Sequence, residues 1–386
     1  MAWALPILTL LLPLWVFTMG QLRDGQHVAL MAAVPGLLSL LTRNWWLRGF
    51  CVLAGLGVLM TLLAAAATPD EPRLWAHREA VRLAMWLACG VAVYVAGAHG
   101  LASPRSLACG LTALAAAQAL VVGSQSLGHD PVMWVLRQAS PWYALGAKFP
   151  PHQMGGTLGN PNFVSAAMAL AVPAGWLLGR RWFLAGAAAA ALFCVTQSTS
   201  TALMAIWAGV MVVALYAGQR RLLLAGAAGA ALALAAFLAL DNGLLELAGS
   251  TKGPGARMTT WGLTVAHWGR SAPLFGLGAG SWPDWWAGQV GQDGIWWKWR
   301  HAHNEFIELG FEHGLAGLGL VLGGLASALR SLWQKRGDPE AVFLAGLLAT
   351  GIVSCMGNFS LHLAPLAVVI LAGLGLAERV GGPDKG

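Results

Sequence analysis

Residues 222–240 read LLLAGAAGAALALAAFLAL, with no charged or hydrogen-bonding side chain anywhere in the run. As a helix rising 1.5 Å per residue, it would reach across a hydrocarbon core of roughly 30 Å. A strand of an outer-membrane barrel would alternate polar and apolar residues with period two, and this run does not. The rest of the 386-residue chain is of the same kind, 57% apolar and 10% charged, with a mean hydropathy of +0.64. A soluble domain carries roughly 25% charge. Composition therefore excludes a soluble enzyme, a disordered chain and a collagen-like or disulfide-rich scaffold. The chain reads as all-α, a polytopic membrane protein forming a single integral membrane domain over residues 1–386.

Runs of sufficient length predict about twelve transmembrane helices, at 3–20, 26–42, 48–67, 80–98, 105–124, 160–179, 182–198, 200–218, 222–240, 309–329, 340–357 and 361–378. Residues 182–218 are too long for one crossing and break at Thr196-Gln197-Ser198-Thr199-Ser200-Thr201. Residues 340–378 break in the same way at Gly357-Asn358-Phe359-Ser360-Leu361-His362. Two connections are long, 122–159 and 241–308. Among the short ones, one set holds Arg43, Arg48, Arg105, Arg180, Arg181, Arg220, Arg221, Arg330, Lys335, Arg336, Arg379 and Lys385, while the opposite set holds Arg23, Arg73, Arg78 and Arg82. The positive-inside rule then places both termini in the cytoplasm and both long loops, with both polar breaks, outside.

The net charge of +7 reads as this topology and not as nucleic-acid binding. Cys51, Cys89, Cys109, Cys194 and Cys355 stand singly in apolar stretches, as core residues. Residues 3–19 lack a basic segment before them and read as a retained span. No repeat and no Asp or Glu in mid-span points to an ion-coupled transporter. Any chemistry belongs at the outer boundary.

Five stretches carry polar or aromatic character there. In Gly156-Thr157-Leu158-Gly159-Asn160-Pro161-Asn162-Phe163, Asn160 suits a helix N-cap ahead of Pro161, while Asn162 is a second amide that capping does not need. Residues 257–268 place Arg257, Trp261, Thr264 and Trp268 on one helical face, which suits either interfacial anchoring or an arginine aimed at a lipid-linked phosphate. Gly276-Leu277-Gly278-Ala279-Gly280 follows no βαβ strand, so it is no dinucleotide fingerprint. It suits backbone lying against a ligand or another helix. Trp282, Trp285, Trp286, Trp296, Trp297 and Trp299 suit an interfacial belt or a surface for stacking sugar rings. In residues 300–314, Arg300, His301, His303, Asn304, Glu305, Glu308, Glu312 and His313 crowd together, with the three glutamates on one face. No H-E-x-x-H, cysteine partner or Asp-x-Asp supports a metal site, so His303 reads as a general base or acid.

Taken in order, these segments resemble the O-antigen ligase and polymerase superfamily of membrane glycosyltransferases. The matching pieces are G-x-x-G-N-P-N at 156–162, R-x-x-x-W at 257–261, P-L-x-G-x-G-x-G at 273–280 and H-N…E-x-G-x-x-G at 303–317. The resemblance implies a bacterial inner-membrane protein whose two long loops are periplasmic, an undecaprenyl-diphosphate-linked glycan as donor, a lipid A–core or other glycan as acceptor, a membrane-lipid setting and no cofactor or metal. It further implies that Arg257 holds the diphosphate and that His303 acts on the acceptor hydroxyl. Asn160, Asn162, Trp261, Arg300, Asn304 and Glu312 would bind substrate. Many family members carry an arginine between the spans here at 182–198 and 200–218, where this chain has Ser198-Thr199-Ser200-Thr201. A second phosphate-binding arginine would then come from Arg300, Arg270, Arg137 or the Arg73–Arg82 group. Ligase-like transfer is the leading reading. Polymerase and protein O-oligosaccharyltransferase are close alternatives, and a lipid-linked glycan flippase is a reading of another class.

Overall fold

The computed structural model describes residues 45–46, 49, 93–100, 102–129, 160–197, 199–240, 254–291, 299, 301–358, 361 and 364–382. The spans expected at 3–20, 26–42 and 48–67 and most of 80–98 lie outside these residues, as do 130–159 of the first long loop and 241–253 and 292–298 of the second. Arg73, Arg78, Arg82, Arg137 and Arg300 are also outside.

The described residues are helical, and no strand occurs among them. The helices are α1 (Pro104–Ser126), α2 (Pro161–Ala171), α3 (Gly175–Leu178), α4 (Arg180–Thr196), α5 (Ser200–Tyr216), α6 (Arg220–Leu240), α7 (Pro254–Ser271), α8 (Ser281–Gln289), α9 (Glu305–Gln334), α10 (Pro339–Cys355) and α11 (Ala364–Gly381). Their starts follow local chemistry. Ser103, Asn160 and Asp338 cap α1, α2 and α10, each followed by a proline in the first turn, where its missing N–H has no intrahelical partner to lose. Asn304 caps α9 by accepting from the N–H groups of Phe306 and Ile307. Pro173 interrupts the ladder after α2 and leaves a 3-10 turn, Val172–Ala174, before α3.

Among the described residues, three helical segments are long and apolar enough to cross a membrane: Pro104–Ser126, Pro161–Leu178 and Glu305–Gln334. α5 and α10 are apolar but shorter. Apolar side chains also point outward: Leu120 is 76% exposed, Trp182 68% and Leu224 72%. In a membrane chain these faces meet lipid. α10 is the inner helix, fully buried from Ala341 to Leu348, with α5 and α11 packed on it.

The connections separate into two ends. At one end, Arg105 pairs with Glu340 at 3.6 Å, the Gly337 N–H donates to Tyr216 O at 3.0 Å and Arg379 donates to Ala102 O at 3.1 Å. At the other, Thr199 donates to Ser165 Oγ at 2.8 Å, and an added Cβ on Gly357 would fall 2.4 Å from Thr201 Oγ1. The basic turns thus gather together, and the two Ser/Thr- and Asn-containing breaks meet opposite them.

α9 bends sharply at Gly314, whose φ of +67° and ψ of −171° lie outside helical space. The bend frees backbone groups, and the 273–280 turn takes them up. Leu277 and Gly278 donate to Phe311 O and Glu312 O at 2.8 and 3.0 Å, while Leu315 and Ala316 donate to Pro273 O and Leu274 O at 2.9 and 3.0 Å. A Cβ on Gly276 would sit 2.3 Å from Glu312 C, and one on Gly314 would sit 2.2 Å from Leu274 O. The glycine-rich turn is therefore backbone lying against a helix. Gly314→Ala combines that clash with glycine-only backbone space, costing about 1–3 kcal/mol for the backbone alone. Its melting temperature in detergent is expected to fall well below wild type. Gly319→Ala, where nothing lies within 4 Å of the new Cβ, should leave it unchanged or raised.

Candidate active site

The site is assembled around residues 301–304, where the chain turns into α9. Glu308, one turn into α9 and 3% exposed, faces back over this segment. One carboxylate oxygen meets His301 Nδ1 at 2.9 Å, and the other accepts from the Ala302 N–H at 2.7 Å. The Ala302 carbonyl in turn accepts from the Trp261 indole at 2.7 Å. Asn304 is fixed by its cap, its Oδ1 accepting at 3.1 and 3.2 Å. His303 is thus held from both sides. Its φ is +56°, the only positive φ of a non-glycine residue among the described residues. That region costs an ordinary side chain free energy and persists where the surroundings over-determine it, as at functional sites.

The other two glutamates do the same work for other segments. Glu305 accepts from the Leu361 N–H and so ties the start of α9 to the turn between α10 and α11. Glu312, 6% exposed, faces the Trp282 N–H of α8 at 3.4 Å. The acidic face of α9 is a ridge on which three segments dock by their backbones.

Arg257 lies in the first turns of α7 and donates to Gly357 O at 3.1 Å. Burial pulls its guanidinium down from its ordinary value, although so strong a base stays charged. Its charge reaches His303. Burial first, then Arg257 and His301, hold that imidazole down to about 4, against the opposing pull of Glu308. His303 is therefore neutral near neutral pH, beside a partly desolvated cation. The Trp299 ring stands against it with centroids 4.6 Å apart at 66°.

The remaining expected residues are placed as follows. Asn160 Oδ1 accepts from the Asn162 N–H at 2.8 Å, so the cap is made. Asn162 lies one turn before Ser165, which binds Thr199. Trp261 acts through Ala302. Arg270 is exposed in the last turn of α7, thirteen residues and so about 20 Å along the helix from Arg257. It does not share a diphosphate with it. Trp282 and Trp286 are fully buried in a second core with Ala302 and Phe311, so they support the loop and offer no face to a sugar. Trp285 stacks on His267 at 5.0 Å and 25°. Among the described residues, no group of three His, Cys, Asp or Glu side chains is arranged to hold a metal. Sequence reasoning missed Gly357 and Leu361, whose backbone groups complete the site. The polar break at 357–362 was the signal for them.

The fold and site thus define a helical membrane protein with a histidine–arginine pair where polar turns gather. Residues 184–322, about a third of the chain, match the family model for O-antigen ligase. In sequence the matched segment takes in Arg257, Trp261, Arg300, His303, Asn304 and Glu312, and leaves Asn160 and Asn162 outside. No curated protein matches the chain.

Proposed function

We propose that this protein transfers a glycan from undecaprenyl diphosphate to a sugar hydroxyl of lipid A–core at the periplasmic face of the bacterial inner membrane, as an O-antigen ligase. The 241–308 loop of a single integral membrane domain would carry the site, with both termini cytoplasmic. The observation that carries the reading is His303, pinned in a left-handed conformation and kept neutral beside Arg257. A neutral imidazole accepts a proton, and a guanidinium offers two parallel N–H groups to a phosphate. The acceptor oxygen forms a bond to the anomeric carbon as the bond from that carbon to the diphosphate oxygen breaks. The hydroxyl proton goes to His303, and the leaving diphosphate keeps the electron pair beside Arg257. Attack opposite the leaving group inverts the anomeric centre. Trp261 and Asn304 support this path by holding residues 302–304, and Asn160, Asn162, Glu312 and Arg300 would serve substrate binding.

Deleting the gene in its host and resolving surface glycans on a gel tests the reading. Loss of all capped lipopolysaccharide with accumulation of lipid-linked polymer is the expected result. Capping by single repeat units would mean a polymerase instead.

The pH dependence follows from His303. The base must be unprotonated, so activity is lost as pH falls through its pKa. The acid limb of kcat/KM, which reports the free enzyme, is expected near pH 4 and not at the ordinary imidazole value of about 6.5. A bound diphosphate brings negative charge that favours the imidazolium, so the limb of kcat should lie at higher pH. Rates of a purified preparation across pH check both. Because the displacement needs no Lewis acid, transfer should also survive excess chelator, measured with the same preparation.

A further inference from the structure

The turn between α10 and α11 meets the site twice. Its Gly357 carbonyl accepts from Arg257 at 3.1 Å, and its Leu361 N–H donates to Glu305. Between these two tethers lies Asn358. Its backbone N–H continues the last turn of α10, donating to Ser354 O at 3.1 Å. Its side chain is 2% exposed, and its Nδ2 has no hydrogen-bond partner among the described residues. A buried amide donor left unmade is costly, and such groups are retained where a ligand completes them. Asn358 directly follows, in the chain, the carbonyl that Arg257 touches. This chain also lacks an arginine in the Ser198-Thr199-Ser200-Thr201 break, and Thr201 abuts Gly357.

We propose that the Asn358 side-chain amide is a phosphate-binding group of this site, donating an N–H to an oxygen of the lipid diphosphate that Arg257 holds. The inference rests on the donor class proposed above. A neutral amide here supplements the guanidinium without adding charge to a partly buried turn. It also explains why the buried donor lacks a partner until substrate arrives.

The test measures binding of undecaprenyl diphosphate, without glycan, to the purified full-length chain in lipid nanodiscs, together with the melting temperature of the unliganded protein. A hydrogen bond to a charged acceptor corresponds to about a 10- to 100-fold change in affinity. Asn358→Ala should weaken binding by that factor while leaving the unliganded melting temperature unchanged or raised, because it removes an unmet buried donor. Asn358→Asp, nearly the same shape but carrying negative charge and no donor, should weaken binding further. If Asn358 merely shapes the turn, Asn358→Ala will lower the melting temperature and leave the affinity of the folded fraction at the wild-type value, which overturns the proposal. Wild-type-like binding by a normally folded Asn358→Asp protein overturns it equally. Failure of the wild-type chain to bind the probe overturns the donor assignment itself. Loss of binding in Arg257→Ala alone, with both Asn358 variants intact, leaves the donor assignment standing and removes only Asn358.

Discussion

Arg257→Lys should be badly impaired in glycan transfer, and Arg257→Ala nearly inactive. The lysine keeps a charge but not the planar pair of N–H donors that matches a phosphate. It also has to reach the site while satisfying the Gly357 carbonyl, which the guanidinium meets at 3.1 Å. The contact strengthens as charge grows on the leaving diphosphate, so it counts in the transition state more than in the bound donor. By analogy with a lost oxyanion donor, removal costs about 2.7–4 kcal/mol, or about 10²–10³ in rate. Transfer rates of purified variants, with insertion first shown to match wild type, provide the measurement. His301→Ala should retain more activity than His303→Ala, since His301 faces Glu308 and acts by holding the loop.

His303→Ala should lose about 10²–10⁴ in transfer rate, the usual range for a removed general base. It should still bind the lipid donor, because its partner is the acceptor hydroxyl. Losing the left-handed histidine also relieves backbone strain only partly, since alanine at a φ of +56° remains unfavourable. For that reason His303→Asn is the informative companion: asparagine tolerates the left-handed region but cannot take up the proton. Both variants should be equally inactive, with His303→Asn the more stable of the two by thermal unfolding.

Much of the helical layout was legible because its signals are local. Prolines after Ser103, Asn160 and Asp338 mark helix starts, and the polar breaks at 196–201 and 357–362 mark the turns. The spacing of Glu305, Glu308 and Glu312 put them on one face of α9 without structural help. What the sequence could not show was what each carboxylate meets. Ala302, Trp282 and Leu361 arrive from three different segments, and backbone N–H groups leave no trace in residue identity. The glycines at 276–280 were legible as close backbone approach, but their partner, the bend at Gly314, is a long-range pairing of carbonyls and amides. Trp282 and Trp286 look like a surface belt in sequence and are buried, because a tryptophan-rich run reads alike in both settings. Asn358 was legible only as one residue of the polar break at 357–362. Its interest comes from burial beside Gly357, which only the packing of α7 against the α10–α11 turn reveals.

The account rests on His303 removing a proton from the acceptor. Its most direct test gives purified His303→Ala, inserted at wild-type levels, the lipid-linked glycan and lipid A–core, and follows the capped product against wild type. The account predicts donor bound at wild-type affinity and almost no product. Transfer at a near wild-type rate would contradict it.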